Sequence, residues 1–100
     1  MEKKKPHYDL ESVKTVVLDR GIDAFTKTAL HGLDAMGLSE TEGLSVVLGL
    51  RQTMLFKSMT THSDHRVWQD IYHAPCPNGK MAYIKLTIQS GAAVVQFKEL

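Results

Sequence analysis

The sequence predicts an α+β domain, with short N-terminal helices packed on one face of a mainly antiparallel sheet built by the C-terminal half. Three observations lead there. Apolar residues recur at helical spacing up to about residue 50, and the period changes to two after Arg51. The segments between the predicted strands are also too short for the crossovers that parallel pairing needs. Helices first and strands afterwards is the α+β order. A chain of 100 residues encloses one core, so residues 1–100 are expected to form a single domain.

The first helix is predicted over Leu10–Arg20. Asp9 or Ser12 caps it, Val13, Val16 and Val17 form its apolar stripe, and Arg20-Gly21 closes it with a basic last turn and a C-cap glycine. The second begins near Thr26, places Ala29, Leu30, Leu33 and Met36 on one side, and stops at Gly37. Ser39 followed by Glu42 is a capping box that opens a third helix carrying Leu44, Val47, Leu48 and Leu50. These stripes are read as core.

Strands are predicted over Leu55–His62, Val67–His73, Met81–Gln89 and Ala92–Lys98, where β-branched and aromatic residues concentrate. Ser63-Asp64-His65, the Ala74–Gly79 segment and Ser90-Gly91 separate them with turn-forming residues. Alternation sorts their side chains into faces. Tyr83, Lys85 and Thr87 oppose Ile84, Leu86 and Ile88, and Gln96 and Lys98 oppose Val95 and Phe97. Lys57 shares a face with Met59 and Thr61. An uncovered face that gathers Lys57, Gln69, Tyr83, Lys85 and Lys98 is rich in donors for phosphate. The same residues also solubilise a half-covered sheet, and alternation does not choose between the two roles.

Composition narrows the function classes. Hydrophobic residues make up 43% and charged residues 23%, ordinary values for a globular domain. The longest apolar stretch, around Val46–Leu50, is far short of the roughly 20 residues of a membrane helix. The basic start Met1–His7 has no apolar segment behind it, so the chain is expected in the cytoplasm. The lone Cys76 agrees with a reducing compartment. Net charge is +1, but residues 1–50 carry six Lys/Arg against eight Asp/Glu, and residues 51–100 six against three. The second half is therefore the better candidate for a polyanionic partner.

His62 and His65, then His73 and Cys76, have the paired spacing of a zinc site. A zinc-stabilised interaction domain is one reading of that pattern. The two pairs, however, flank a seven-residue strand that holds them roughly 20 Å apart. No metal site is therefore expected. No nucleophile elbow, phosphate-binding glycine loop, dinucleotide fingerprint or H-E-x-x-H occurs.

The run Lys57–Tyr72, KSMTTHSDHRVWQDIY, resembles the motility quorum-sensing regulator (MqsR) toxin family, whose pattern is K-S-M-T-T-Y-S-D-H, two variable residues, then W-Q-D-V-Y. Tyr83–Ile88 is similar to the family's Y-L-K-I-T-V, and Phe97-Lys98-Glu99, Met1-Glu2-Lys3 and Pro6-His7 also match. His62, Ile71, His73 and Leu100 depart from it, standing where the family has Tyr, Val, Arg and Lys. Two of these departures supply half of the apparent metal pattern.

The resemblance implies a RelE-like fold and a type II toxin, a ribonuclease that cleaves mRNA at short GC-containing sites without a cofactor. Carried onto this chain, the active-site positions are Lys57, Gln69, Tyr83 and Lys98. Apart from the resemblance, RNA contacts are expected at Lys85, Tyr72 and Arg66, an aromatic ring to stack an unpaired base and cations for phosphate. Trp68 is expected as a core anchor, and Lys3–Lys5 as solvated. The implied partners are mRNA and an MqsA-like antitoxin with a zinc-binding N-terminal domain and a helix-turn-helix domain. Operator DNA would be reached only through that antitoxin. RNA brings its own nucleophile, the 2′-hydroxyl, so Lys57 is expected in proton transfer or phosphate stabilisation. Lys98 supplies electrostatic stabilisation, Tyr83 a hydrogen bond or acid, and Gln69 positioning. A free lysine has a pKa near 10.4, so a base role requires that value to be depressed. A non-catalytic nucleic-acid-binding or antitoxin-modulating regulator is the alternative.

Overall fold

A computed structural model describes residues 1–100. Three helices lie on one face of a five-stranded antiparallel sheet whose strand order follows the chain, β1-β2-β3-β4-β5. The helices are α1 (Leu10–Arg20), α2 (Lys27–Met36) and α3 (Glu40–Leu48). The strands are β1 (Glu2–Lys3), β2 (Leu55–Thr60), β3 (Trp68–Pro75), β4 (Met81–Gln89) and β5 (Ala92–Glu99).

Local chemistry sets the helix ends. Asp9 accepts from the Ser12 backbone N–H at 3.0 Å, Thr26 from Ala29 at 3.0 Å, and Ser39 from Glu42 at 3.1 Å. Each cap satisfies one of the N–H groups that an α-helix leaves without an intrahelical partner. Glu42 returns a bond from the Ser39 N–H, completing the capping box. The Asn78 side chain reaches across to the Met36 carbonyl at 2.8 Å, fixing the last turn of α2 against the β3–β4 connection.

The core lies between the helices and one sheet face. It joins Leu10, Val13 and Val17 of α1, Ala29, Leu33 and Met36 of α2 and Val47 of α3 to Tyr72, Ile84, Leu86, Val95 and Phe97 of the sheet. Burying each large aliphatic side chain contributes roughly 1.5–3 kcal/mol. α2 and β5 approach closely at Gly32. A Cβ on Gly32 would run into the Phe97 carbonyl, so only glycine lets the helix lie this near the edge strand. Just before α2, Phe25 forms a parallel bridge to Val95, and Thr26 donates its N–H to the Val95 carbonyl at 3.0 Å. The start of α2 is thereby pinned to the sheet edge beside Gln96.

The N-terminus departs from the expected solvated tail. Glu2 and Lys3 pair with Met59 and Ser58, adding an edge strand to β2. The N-terminal amine donates to Thr60 Oγ1 at 3.1 Å, and Ser58 Oγ donates to the Lys5 carbonyl at 2.8 Å. Buried Asp70 then accepts from the His7 and Tyr8 N–H groups at 2.9–3.0 Å, and from Ser58 Oγ at 2.5 Å. The segment is held because one carboxylate satisfies several donors that would otherwise be desolvated without partners.

Three predicted boundaries shift in β2 and β3. The second strand ends at Thr60 because Thr61 turns instead, its hydroxyl donating to the Asp64 carbonyl and accepting from the Asp64 N–H. β3 runs from Trp68 to Pro75, one residue later at its start and two at its end than the alternation suggests.

Candidate active site

The face of the sheet away from the helices carries the functional side chains, and register decides their arrangement. Lys57 lies opposite Ile71, Ile71 opposite Lys85, and Lys85 opposite Gln96, so one row crosses β2, β3, β4 and β5. The next row is His73, Tyr83 and Lys98. Gln69 sits in the row on the other side, opposite Met59. Residues directly opposite across antiparallel strands share a face. The structure therefore brings Lys57, Gln69, Tyr83, Lys85 and Lys98 to one surface. Lys57 and Lys98 are three strands and one row apart, roughly 16 Å between backbones.

The centre of this surface is Tyr83. Lys98 Nζ lies 5.2 Å and Lys85 Nζ 5.8 Å from its ring centroid, within cation–π range. His73 lies 5.6 Å from Tyr83 and stacks on Phe56 at 4.4 Å. Phe56 and Lys57 are consecutive, yet both reach this face. The irregularity between Leu55 and Lys57 is a β-bulge, which places two residues of β2 against one of β3. Lys57 Nζ lies 5.4 Å from the Phe56 ring. An aromatic strip, Phe56–His73–Tyr83, thus runs between the lysines. Ile71 is fully buried although it lies outside the core cluster. The stems of Lys57 and Lys85, its neighbours on either side, cover apolar surface while their heads stay wet.

Lys57 has a partner from the N-terminal strand. Its Nζ donates to Glu2 Oε2 at 2.9 Å, and this contact holds the Glu2 carboxyl below the ordinary carboxylate range. An ammonium that donates to a carboxylate is a cation already oriented to donate to phosphate.

Three expectations need correction or relocation. Tyr72 is on the core face and 1% exposed. Its hydroxyl accepts from Gln52 Nε2 at 3.2 Å, and burial pushes the phenol's pKa up. It offers no ring to an RNA base, because its parity along β3 matches Ala74 of the core rather than His73. Arg66 lies in the β2–β3 loop and turns back on Asp64, with Nε–Oδ1 at 3.1 Å, away from the Tyr83 cluster. Trp68 is absent from the core cluster. It serves instead as a platform for the N-terminal segment, with His7 stacked at 5.0 Å and Lys3 Nζ at 4.3 Å.

The histidine–cysteine pattern is divided by β3. His62 and His65 belong to the loop before it, and buried Cys76 to the turn after it. No group of three or more His, Cys, Asp or Glu side chains comes together.

Beyond Tyr83 the face opens into a cleft between β5 and the first turn of α2, lined by Thr28, Ala29, Tyr83, Lys85, Gln96, Phe97 and Lys98. Sequence reasoning passed over Phe56, Glu2 and Thr28. No local signal marks them, since a bulge, an added edge strand and a helix docked on a sheet edge all depend on distant residues. Gln96 was legible only as one of several polar positions on β5.

Residues 5–99 match a family described as "Motility quorum-sensing regulator, toxin of MqsA". The chain is also 39% identical over 99 residues to a protein of Escherichia coli (strain K12) described as "mRNA interferase toxin MqsR", an alignment covering 99% of each chain.

Proposed function

This chain belongs to the motility quorum-sensing regulator toxin family, and from that membership we propose that it is an mRNA interferase, an endoribonuclease toxin held in check by an MqsA-type antitoxin. The observation that carries the reading is the Tyr83 cluster, a phenol ring flanked by the ammonium groups of Lys85 and Lys98 on the face that also bears Lys57. Two cations beside one phenol ring suit a phosphodiester whose charge grows in the transition state.

In the mechanism we propose, the RNA 2′-hydroxyl passes its proton to solvent water as it attacks the adjacent phosphorus, and the P–O5′ bond breaks, so the protein supplies orientation and charge rather than a nucleophile. Gln69 orients the ribose. Lys98 stabilises the phosphorane oxygens from β5, and Lys57 does so from β2 once its ammonium exchanges Glu2 for the RNA. Lys57 already donates to Glu2, and we assign it this donor role rather than that of a base. Tyr83 donates to the departing 5′ oxygen. The products are a 2′,3′-cyclic phosphate and a 5′-hydroxyl end. Cleavage falls at short GC-containing sites, and the antitoxin, with its zinc-binding and helix-turn-helix domains, blocks the face and carries any contact with operator DNA. Acting on mRNA, the toxin works in the cytoplasm. No helix is long and apolar enough to cross a membrane.

The test is incubation of the purified chain with a defined single-stranded mRNA in excess EDTA, beside Lys57→Ala and Lys98→Ala, with mapping of cut sites and end chemistry. Sequence-selective cuts with 5′-hydroxyl ends are expected, slowed on the order of 100-fold or more in each variant. RNA binding without cutting, in free RNA and in a translating extract, would favour a non-catalytic regulator instead.

A further inference from the structure

We propose that the cleft between β5 and α2 is a nucleobase subsite, in which Gln96 and Thr28 read the hydrogen-bonding edge of a base next to the scissile phosphate. The inference rests on the ribonuclease reading and names what sets its sequence preference. The cleft adjoins the catalytic face directly, because Tyr83 and Lys98 line both. Its volume is about 170 Å³, well below the ~300 Å³ at which pockets for drug-sized ligands begin, a size for one flat ring rather than a whole nucleotide.

Its chemistry is that of base recognition. Gln96 is half-buried, lies opposite Lys85, and presents an amide with both donor and acceptor. Thr28 lines the same cleft from the first turn of α2 and brings a hydroxyl to it. Neither side chain is engaged elsewhere in the chain, unlike the cap residues Thr26 and Ser39, whose oxygens are already occupied. An unpaired base in single-stranded RNA exposes its pairing edge and its ring face together. Gln96 and Thr28 meet the edge, Tyr83 offers a ring, and Lys85 and Lys98, 5.8 and 5.2 Å from that ring's centroid, hold the phosphate. The position of Thr28 depends on the bond from Thr26 to Val95 and on Gly32 against Phe97, so the cleft is set by the rigid α2–β5 contact.

The experiment cuts a random-sequence RNA pool with wild type, Gln96→Ala and Thr28→Ala, and sequences the new ends, with thermal melts as a control on folding. Gln96→Ala should reduce discrimination at one nucleotide position beside the cut by about 5- to 150-fold, the range of a good paired contact to a base. Thr28→Ala should relax the same position more weakly. Preference at the other positions and the melting temperature should be unchanged. Unaltered preference in Gln96→Ala, or a uniform loss of cutting at all sequences, overturns the subsite while leaving the ribonuclease reading intact. Absence of any cutting by wild type overturns both.

Discussion

Asp70 shows how much one side chain can organise. It is 2% exposed and accepts from two backbone N–H groups and a serine hydroxyl, joining residues 7 and 8 to the middle of the sheet. Asp70→Asn keeps the shape but turns an NH₂ group toward those donors. It should cost about 2–3 kcal/mol, read as a lower urea midpoint at unchanged slope. At the same scale, Lys57, Gln69, Tyr83 and Lys98 were singled out by resemblance in a motif, and alternation placed their strands. Their neighbours were not legible. Phe56 reaches the face through a bulge, and Tyr72, whose residue type suits base stacking, is turned into the core by parity alone.

At the scale of elements, the contact between α2 and β5 is the one on which the candidate site leans. Replacing a helix-interior glycine by alanine ordinarily stabilises by up to about 1 kcal/mol. At Gly32 the sign should reverse, because the new Cβ meets the Phe97 carbonyl and lies 3.3 Å from Lys98 Cα. Gly32→Ala is expected to cost about 1–3 kcal/mol, as overpacking does. Since relief requires β5 to move, it should also slow RNA cleavage. Melting curves and single-turnover rates on the same preparation check both halves of that expectation. The helix ends were readable because caps are local: Thr26, Ser39 and Glu42 act within three residues of where they stand. The bridge from Phe25 to Val95 was not, since seventy residues separate the partners.

For the whole molecule, acid is the simplest probe. The Glu2 carboxyl is lowered from 4.5 by its bond to Lys57, Asp9 from 3.8 by its Ser12 bonds, and Asp64 from 3.8 by Arg66. Each therefore binds its proton more readily in the unfolded chain. The stability they contribute is fully present above about pH 5 and is lost as the pH falls through the lowered folded values. Thermal melts from about pH 5 down to about pH 3 should show a falling midpoint, with part of the slope removed in Glu2→Gln. Two of the three groups tie down ends rather than core, Glu2 at the β1 edge and Asp9 at the start of α1, so acid should loosen the N-terminal half first.

The sequence by itself determined the class of fold, the helix starts and the ends of α1 and α2, the extents of β4 and β5 to within a residue, and the family, while α3 stops at Leu48, short of the Leu50 expected in it. These follow from hydrophobic period, capping chemistry and turn residues, which act over a few positions, and from a motif that is a matter of residue order. Only the tertiary structure decided the register that sets Tyr83 beside Lys98, the bulge that turns Phe56 toward His73, the docking of the N-terminus on Asp70, and the cleft between Thr28 and Gln96. Each of these joins residues far apart in the chain. Its free energy comes from burying surface and pairing donors between elements, and no local pattern records which elements will meet.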